Sequence, residues 1–454
     1  MIIQLPEDVR TIIERLSAGG WEAYAVGGCV RDVLLGRTPA DWDITTSARP
    51  EEVKAVFSHT IDTGIRHGTV TVRLNRHSYE VTTYRIDGTY EDGRHPKDVS
   101  FTRSLSEDLK RRDFTINAMA YNDADGIVDL YGGQADLAAG IIRCVGDPMK
   151  RFSEDALRML RAVRFAAQLS FHVEEETFSA AKRLSPTLSK VSAERIRVEL
   201  EKILCCDHPQ MLSLACDAGL TAVFLPEWDE MMKTPQNTPH HDGTVGEHTL
   251  RVIGGVPANP SYLRIAAMLH DIAKPVTRRT DPKGRDHFMG HPETGAIMSG
   301  KILRRLKFDN VTIRRVCTLI RYHDDRQAVT PPSIRREIAA VGAGLYPQLL
   351  LLRHADLMAQ STYQRDEKLA IWERQKSVYE QAIENGECLS LQDLAVTGDD
   401  LIREGIPKGP QIGRILKELF DLVLLEPAGN ERENLLSEAR RIQRESEGQD
   451  GRSR

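Results

Sequence analysis

Two aspartates one residue apart, Asp41 and Asp43, stand in the stretch Asp41-Trp42-Asp43, thirteen residues beyond Gly28. In a strand successive side chains alternate faces, so the two carboxylates would project together while Trp42 turns away. Aligned oxygen ligands suit Mg²⁺, which keeps waters and substrate phosphates in its shell, and a pair of such ions serves phosphoryl or nucleotidyl transfer. The spacing alone carries little weight, because most such pairs are solvated turns or strand edges. Its neighbours add to it. Tyr24 to Gly36, YAVGGCVRDVLLG, reads as an apolar strand, a Gly27-Gly28 turn and a helix whose first turn carries Arg31. Glycine at Gly28 lets the backbone approach a triphosphate, amides at a helix start favour anions, and the Arg31 fork matches phosphate oxygens. A tight turn with a solvated arginine is the plainer alternative. Glu80 opens the run EVTTYR, and a neighbouring strand would make it a third carboxylate beside the pair; a surface strand residue is an equal alternative.

A second set, Asp155, Arg158, Arg161 and Arg164, falls at steps of three on what the pattern predicts to be one helix. Each step falls about sixty degrees short of a full turn, so Asp155, Arg158 and Arg161 can share one site, with Arg164 further round. Cytosine and adenine each offer an amino donor beside a ring-nitrogen acceptor, whereas guanine and uracil offer a carbonyl beside an N–H. An aspartate accepting from the amino group, next to an arginine donating to the ring nitrogen, would take C and A and refuse G and U. Taken without its context, the set would be ordinary i, i+3 surface pairing.

These residues need a scaffold. Residues 7 to 19 have helical spacing; 24 to 145 alternate short β-rich runs with two or three helices; from about 150 onward amphipathic helical patterns take over. The fold class expected is therefore an α+β head, 1–145, followed by all-α regions: a neck at 146–235, a body at 236–380 and a tail at 381–454 whose polar end, Gln443 to Arg454, is disordered. Joints are expected near Gly146-Asp147-Pro148, Thr234 to Gly243 and Asn385-Gly386. No apolar run approaches a membrane span, and the acidic N-terminal stretch lacks signal-peptide character, so a cytoplasmic protein is expected. Seven cysteines without a C-x-x-C pair argue for reduced thiols. A net charge of -5 is unexpected for a nucleic-acid binder, so local clusters such as Lys110-Arg111-Arg112 and the arginines of 151 to 164 must supply any attraction.

GGCVRDVLLGR, DWDI, DTGIRHGTVTV, EVTTYR, RRDFTINAMA, DLYGG and RFSEDALRMLRAVRFAAQL occur in this order within about the first 170 residues. Together they resemble the bacterial class II tRNA nucleotidyltransferases, the CCA-adding enzymes related in their heads to poly(A) polymerases and more distantly to DNA polymerase beta. The resemblance implies a polymerase beta-like head, Mg²⁺ on Asp41 and Asp43, CTP and ATP as substrates and the tRNA 3′ acceptor end as partner, with neither DNA nor a membrane. It also implies that Arg112 meets the triphosphate and Asp113 the ribose, with Asp113 capping a helix and Asn117 facing the nucleotide; ordinary capping chemistry is the alternative. The polar loop from Ile86 to Phe101 is kept at full length, which in this family goes with addition of the terminal adenosine. Near the C-terminus, Gly405, Pro407, Gly409 and Gly413 frame a turn into a helix whose amides could grip tRNA phosphates, or a plain helical hairpin.

From 240 to 360 a different ligand chemistry appears: His248, His270-Asp271, His291, His323-Asp324 and Asp356. Histidine nitrogens mixed with Asp oxygens suit a divalent transition metal better than Mg²⁺, and helices of a bundle can converge them. The pattern resembles an HD-type metal phosphohydrolase, with Lys274 at the usual lysine position; many class II enzymes lack such an insert. Three readings stay distinct: a CCA-adding transferase with possible HD activity in 3′-end repair, an A-adding enzyme or poly(A) polymerase, and an HD phosphohydrolase with a decayed head. Intact Asp41, Asp43 and Arg158 argue against the last.

Overall fold

β1 (Ala23–Val26) is short, apolar and buried at all four positions, and a seven-stranded sheet is built around it. A computed structural model describes residues 2–87, 99–324 and 329–450 and divides into two compact units, Met1–Asp229 and Glu230–Arg454. In the first unit, β2 (Ile44–Thr46), β3 (Thr60–Gly64), β4 (Thr69–Leu74) and β5 (His77–Thr83) follow β1. A two-stranded pair, β6 (Arg85–Asp87) and β7 (Val99–Phe101), flanks the segment 88–98, so most of the loop singled out between Ile86 and Phe101 lies outside the described residues. β8 (Met119–Asn122) and β9 (Gly126–Asp129) complete the sheet in the order β3-β4-β5-β2-β1-β8-β9.

Register sets the site. β1 pairs antiparallel with both β2 and β8, and β2 pairs parallel with β5 through Ile44 and Val81. Asp43 and Glu80 each precede these partners by one residue, so the ladder brings them alongside. Tyr24, Val26, Tyr84, Leu105, Leu109 and Ala120 form one buried cluster against the sheet. Asp41 and Asp43 stand in the segment leading into β2, which begins at Ile44, and not within the strand expected; Val26 N still donates to Asp43 O at 3.0 Å, extending the ladder back to that residue.

Two helical expectations change. RRDFTINAMA holds a single 3-10 turn, Thr115–Asn117, with no side-chain cap. The predicted helix carrying Asp155 with the three arginines is broken: one helix, Pro148–Glu154, ends at Asp155, and another, Leu157–Leu169, begins two residues later. Asp155 Oδ1 accepts from Leu157 N at 3.1 Å, so its own side chain stabilises the break. At the expected joint Gly146 adopts φ +69°, and Asp147 caps the helix that starts with Pro148.

In the second unit, Val245–Gly255, Ser261–Leu269, His291–Arg305, Asn310–Tyr322 and Tyr346–Ala359 are helices whose apolar faces bury Val252, Ile265, Val316, Leu319 and Leu349. The helix Arg365–Glu384 follows, and Gly386 at φ +62° turns the chain. The tail has its own core of Leu401, Ile406, Ile415, Leu419 and Leu435. Its last helix runs Arg432–Asp450, so the stretch from Gln443 expected to be disordered is helical as far as Asp450, with 451–454 outside the described residues.

Candidate active site

Gly27 shapes the head site. It adopts φ +83°, a left-handed conformation that favours glycine, and a Cβ there would stand 2.8 Å from Arg112 Nη1. At Gly28 a Cβ would meet nothing nearer than Arg31 Nη2 at 3.7 Å; packing leaves room over this residue, the first of the helix Gly28–Leu34. Arg31 is 9% exposed and is held by Asn117 Oδ1, accepting from Nη1 at 2.7 Å, and by Asp32 Oδ1.

Asn117 Nδ2 donates to Asp113 Oδ1 at 3.1 Å, and Arg161 donates to Asp113 Oδ2 from Nε at 2.8 Å and Nη2 at 2.5 Å. Burial opposes ionisation of Asp113, but Arg161 and Asn117 outweigh it and hold the carboxyl well below the usual range. Arg112 faces Asp108 from 3.7 Å. Beside it, desolvation by the surrounding protein and the charges of Asp41 and Glu80 push the Asp43 carboxyl up to about 6, against the pull of Arg112. A carboxyl raised in this way beside two further carboxylates fits a hard divalent cation, which would offset the charge gathered there.

The predicted base-reading set does not converge as drawn. Asp155 pairs with Arg195 at 2.8 Å. Arg158 donates to Glu154 Oε2 at 2.8 Å and to the carbonyls of Arg151 and Arg111. Arg161 joins Asp113 instead, and Arg164 pairs with Glu199 at 3.1 Å. Arg31, Arg161 and Arg164 all lie over the Phe165 ring, between 4.1 and 5.3 Å from its centroid, concentrating positive charge at this wall. Glu154 and Glu199 were missed in the sequence. Arg195 and Glu199 are four apart in SAERIRVELEKIL and look like a surface pair, yet each reaches to a different residue of the site.

The second unit gathers His248, His270, Asp271, His291, His323 and Asp356. His270 and His323 each directly follow a helix, and each donates Nδ1–H to a carbonyl of its last turn, Ala267 O at 2.8 Å and Ile320 O at 2.7 Å. His291 opens a helix and donates likewise to Phe288 O at 2.8 Å. Carbonyls only accept, so each of these rings keeps its Nδ1–H there and turns its Nε2 toward the cluster. His248 Nε2 lies 2.9 Å from Asp356 Oδ1, and Lys274 Nζ lies 2.7 Å from Asp271 Oδ2. Burial pushes His291 down to about 4. Burial also opposes the charge on Asp271, but His270 and Lys274 hold it ionised. Imidazole Nε2 atoms gathered around aspartate oxygens make a donor set for a transition metal. His241, overlooked in the sequence, packs its ring 4.7 Å from that of His248.

A family model of the poly A polymerase head domain matches residues 23–143, one described as the probable RNA and SrmB-binding site of polymerase A matches 170–232, and one for tRNA nucleotidyltransferase domain 2 matches 296–439. The CCA-adding enzyme of Lactiplantibacillus plantarum is 35% identical over 97% of this chain and 98% of its own length. The chain belongs to the CCA-adding enzyme family. Within that family the Leuconostoc mesenteroides enzyme is 54% identical over 45% of this chain, a match that spans about half (51%) of the relative's length. The Bacillus stearothermophilus CCA-adding enzyme in complex with CTP is 30% identical with a TM-score of 0.73, covering 98% of this chain and 100% of that one. The Thermotoga maritima CCA-adding enzyme complexed with tRNA-CCA, 22% identical with a TM-score of 0.56 over 96% and 95% of the two chains, shares the fold. The α/β head and helix-rich body described above are those of the family. No helix among the described residues is long and apolar enough to cross a membrane.

Proposed function

We propose that this member of the family completes the 3′ end of tRNA, adding C, C and A from CTP and ATP without a template and releasing pyrophosphate. The observation that carries the reading is the Asp41, Asp43 and Glu80 cluster beside the Gly27-Gly28 turn, with Arg31 and Arg112 at its edge. Asp41 and Asp43 would hold Mg²⁺, with Glu80 as third carboxylate. When bound, the metal lowers the pKa of the RNA 3′-hydroxyl and neutralises charge on the departing pyrophosphate. The open space over Gly28, together with Arg31 and Arg112, takes the triphosphate; Asp113 and Asn117 fix the ribose side. Arg161 and Arg164 add positive charge there. Asp155 and Arg158 read the base edge, exchanging for it the ion pairs they make with Arg195 and Glu154.

The proposed division is a catalytic head (1–145), a nucleotide- and RNA-binding neck (146–235), an HD-type body (236–380) and a tRNA-binding tail (381–454). The enzyme works in the cytoplasm, beside its substrates. The body cluster is read as a metal phosphoester site serving 3′-end repair, with a transition metal in place of Mg²⁺.

Incorporation into tRNA transcripts lacking CCA, ending in the first C, or ending in both, tests the main reading. Two residues from CTP and then one from ATP are expected. A single A on the CC end alone would make this an A-adding enzyme, and a long A tail a poly(A) polymerase.

A further inference from the structure

We infer that Asp108 is a positioning residue for nucleotide binding: it holds the Arg112 guanidinium on the triphosphate side of the head site and keeps it from closing onto the metal carboxylates. The inference rests on the reading in which Arg112 meets the triphosphate, and it adds the residue through which Arg112 is aimed.

Asp108 lies on the short helix Leu105–Lys110 and is fully buried, at 0% exposure. A carboxylate leaves water at large cost unless partners replace the water, and Asp108 draws partners from three parts of the head. Its Oδ1 accepts from Arg111 Nε at 2.9 Å and Nη2 at 2.8 Å, and from the Arg85 amide at 3.4 Å. Its Oδ2 accepts from Thr45 Oγ1 at 3.2 Å. Thr45 is on β2, two residues beyond Asp43, so Asp108 is fastened to the strand that the metal carboxylates lead into.

Arg112 is held differently. One helical turn beyond Asp108, it brings Nη2 to 3.7 Å from Asp108 Oδ2, close enough for Coulomb attraction yet beyond the length of a good hydrogen bond. Its Nη1 donates to Asn117 O over a long 3.4 Å, and its Nε is buried without a partner. Arg111, by filling Oδ1 with two N–H groups, leaves the donors of Arg112 uncommitted. A guanidinium fixed by charge with its N–H groups uncommitted is what phosphate oxygens need. Desolvation disfavours the charge of Arg112, and Asp108 offsets this more than Asp43 or Asp113 does. Asp113 is already taken by Arg161 and Asn117. Without the charge of Asp108, the pull of Asp43 is unopposed, and the guanidinium pairs with a carboxylate that has to hold the metal.

The test is single-turnover addition of C from CTP to tRNA lacking CCA, and of A from ATP to tRNA ending in CC. It gives a nucleotide Kd and a rate constant for four full-length proteins: the parent, Asp108→Asn, Arg112→Ala and the double variant. Asp108→Asn is expected to raise Kd for both nucleotides about tenfold, and to raise the Mg²⁺ concentration needed for half the maximal rate. In the Arg112→Ala background it should leave Kd unchanged. Effects on Kd that multiply, or a fall in the rate constant alone, overturn the inference. An Arg112→Ala Kd equal to the parent's overturns instead the reading of Arg112 as a triphosphate ligand. If Asp108→Asn does not fold, Arg111→Gln decides: with Oδ1 released, Arg112 closes onto Asp108 and Kd rises severalfold, only where Arg112 is present. An unchanged Kd in Arg111→Gln overturns the inference.

Discussion

The head and the body each gather acidic side chains, and the two settings are opposite. Asp41 and Asp43 sit at an exposed edge with Glu80, all oxygen donors, and desolvation together with the charges of Asp41 and Glu80 raises Asp43 to about 6. Asp271 lies 1% exposed among histidines whose rings are locked by backbone carbonyls, and it stays ionised. An open, strained oxygen platform suits an ion that arrives with a nucleotide and leaves with pyrophosphate. A buried set of nitrogen and oxygen donors would suit an ion that stays. The difference teaches that ligand type and burial together, more than the count of carboxylates, would decide whether a metal arrives with substrate or stays.

The comparison breaks most sharply at the head. Asp41→Ala or Asp43→Ala is expected to lower nucleotide incorporation by at least about 10³-fold, read in single-turnover assays with CTP. In the body the expected effect is on the cage. Arg353 is buried, pairs with Glu337, donates to Gln375 Oε1 at 3.0 Å, and donates to the carbonyls of Tyr322 and His323. Arg353→Met leaves Glu337 buried without its cation and frees the helix end that carries His323. Urea unfolding should register a loss of about 3 to 5 kcal/mol, with weaker Mn²⁺ binding in the same sample.

Specificity is a smaller effect. Arg158→Ala should reduce the preference for CTP over UTP by about 10- to 100-fold, measured as a ratio of kcat/KM values. The smallest effect sharpens the contrast in strain. With its folded pKa raised above the unfolded value of 3.8 to about 6, ionised Asp43 destabilises the fold, a cost absent at low pH and fully present above about 6. In metal-free buffer at pH 8, Asp43→Asn is therefore expected to raise the head's Tm by about 1 °C, a gain that vanishes near pH 4. Scanning calorimetry across that range checks both the size and the sign.

How much of this was legible beforehand follows from how local each feature is. The Gly27-Gly28 turn and the paired aspartates depend on neighbours in the chain, and the β2 to β5 register then brings in Glu80, which the sequence could offer only as one of two alternatives. The helix break at Asp155 was hidden, because the three-residue spacing of Arg158, Arg161 and Arg164 continues smoothly into it. The break is made by Asp155 capping Leu157 and by Arg195 reaching across from another helix. Likewise the body histidines could be recognised by type and order, whereas the tautomers that aim them depend on helix ends placing carbonyls beside Nδ1. Segment 88–98, which the resemblance ties to adenosine addition, lies outside the described residues.

Anomalous diffraction from crystals grown with Mn²⁺, with and without CTP, tests most directly that one chain holds two chemically distinct cation sites. Peaks beside Asp41 and Asp43 are predicted only when CTP is present, and a peak beside Asp271 in both crystals. Density beside Asp271 but none at Asp41 and Asp43 in the CTP crystal would contradict the account of the head.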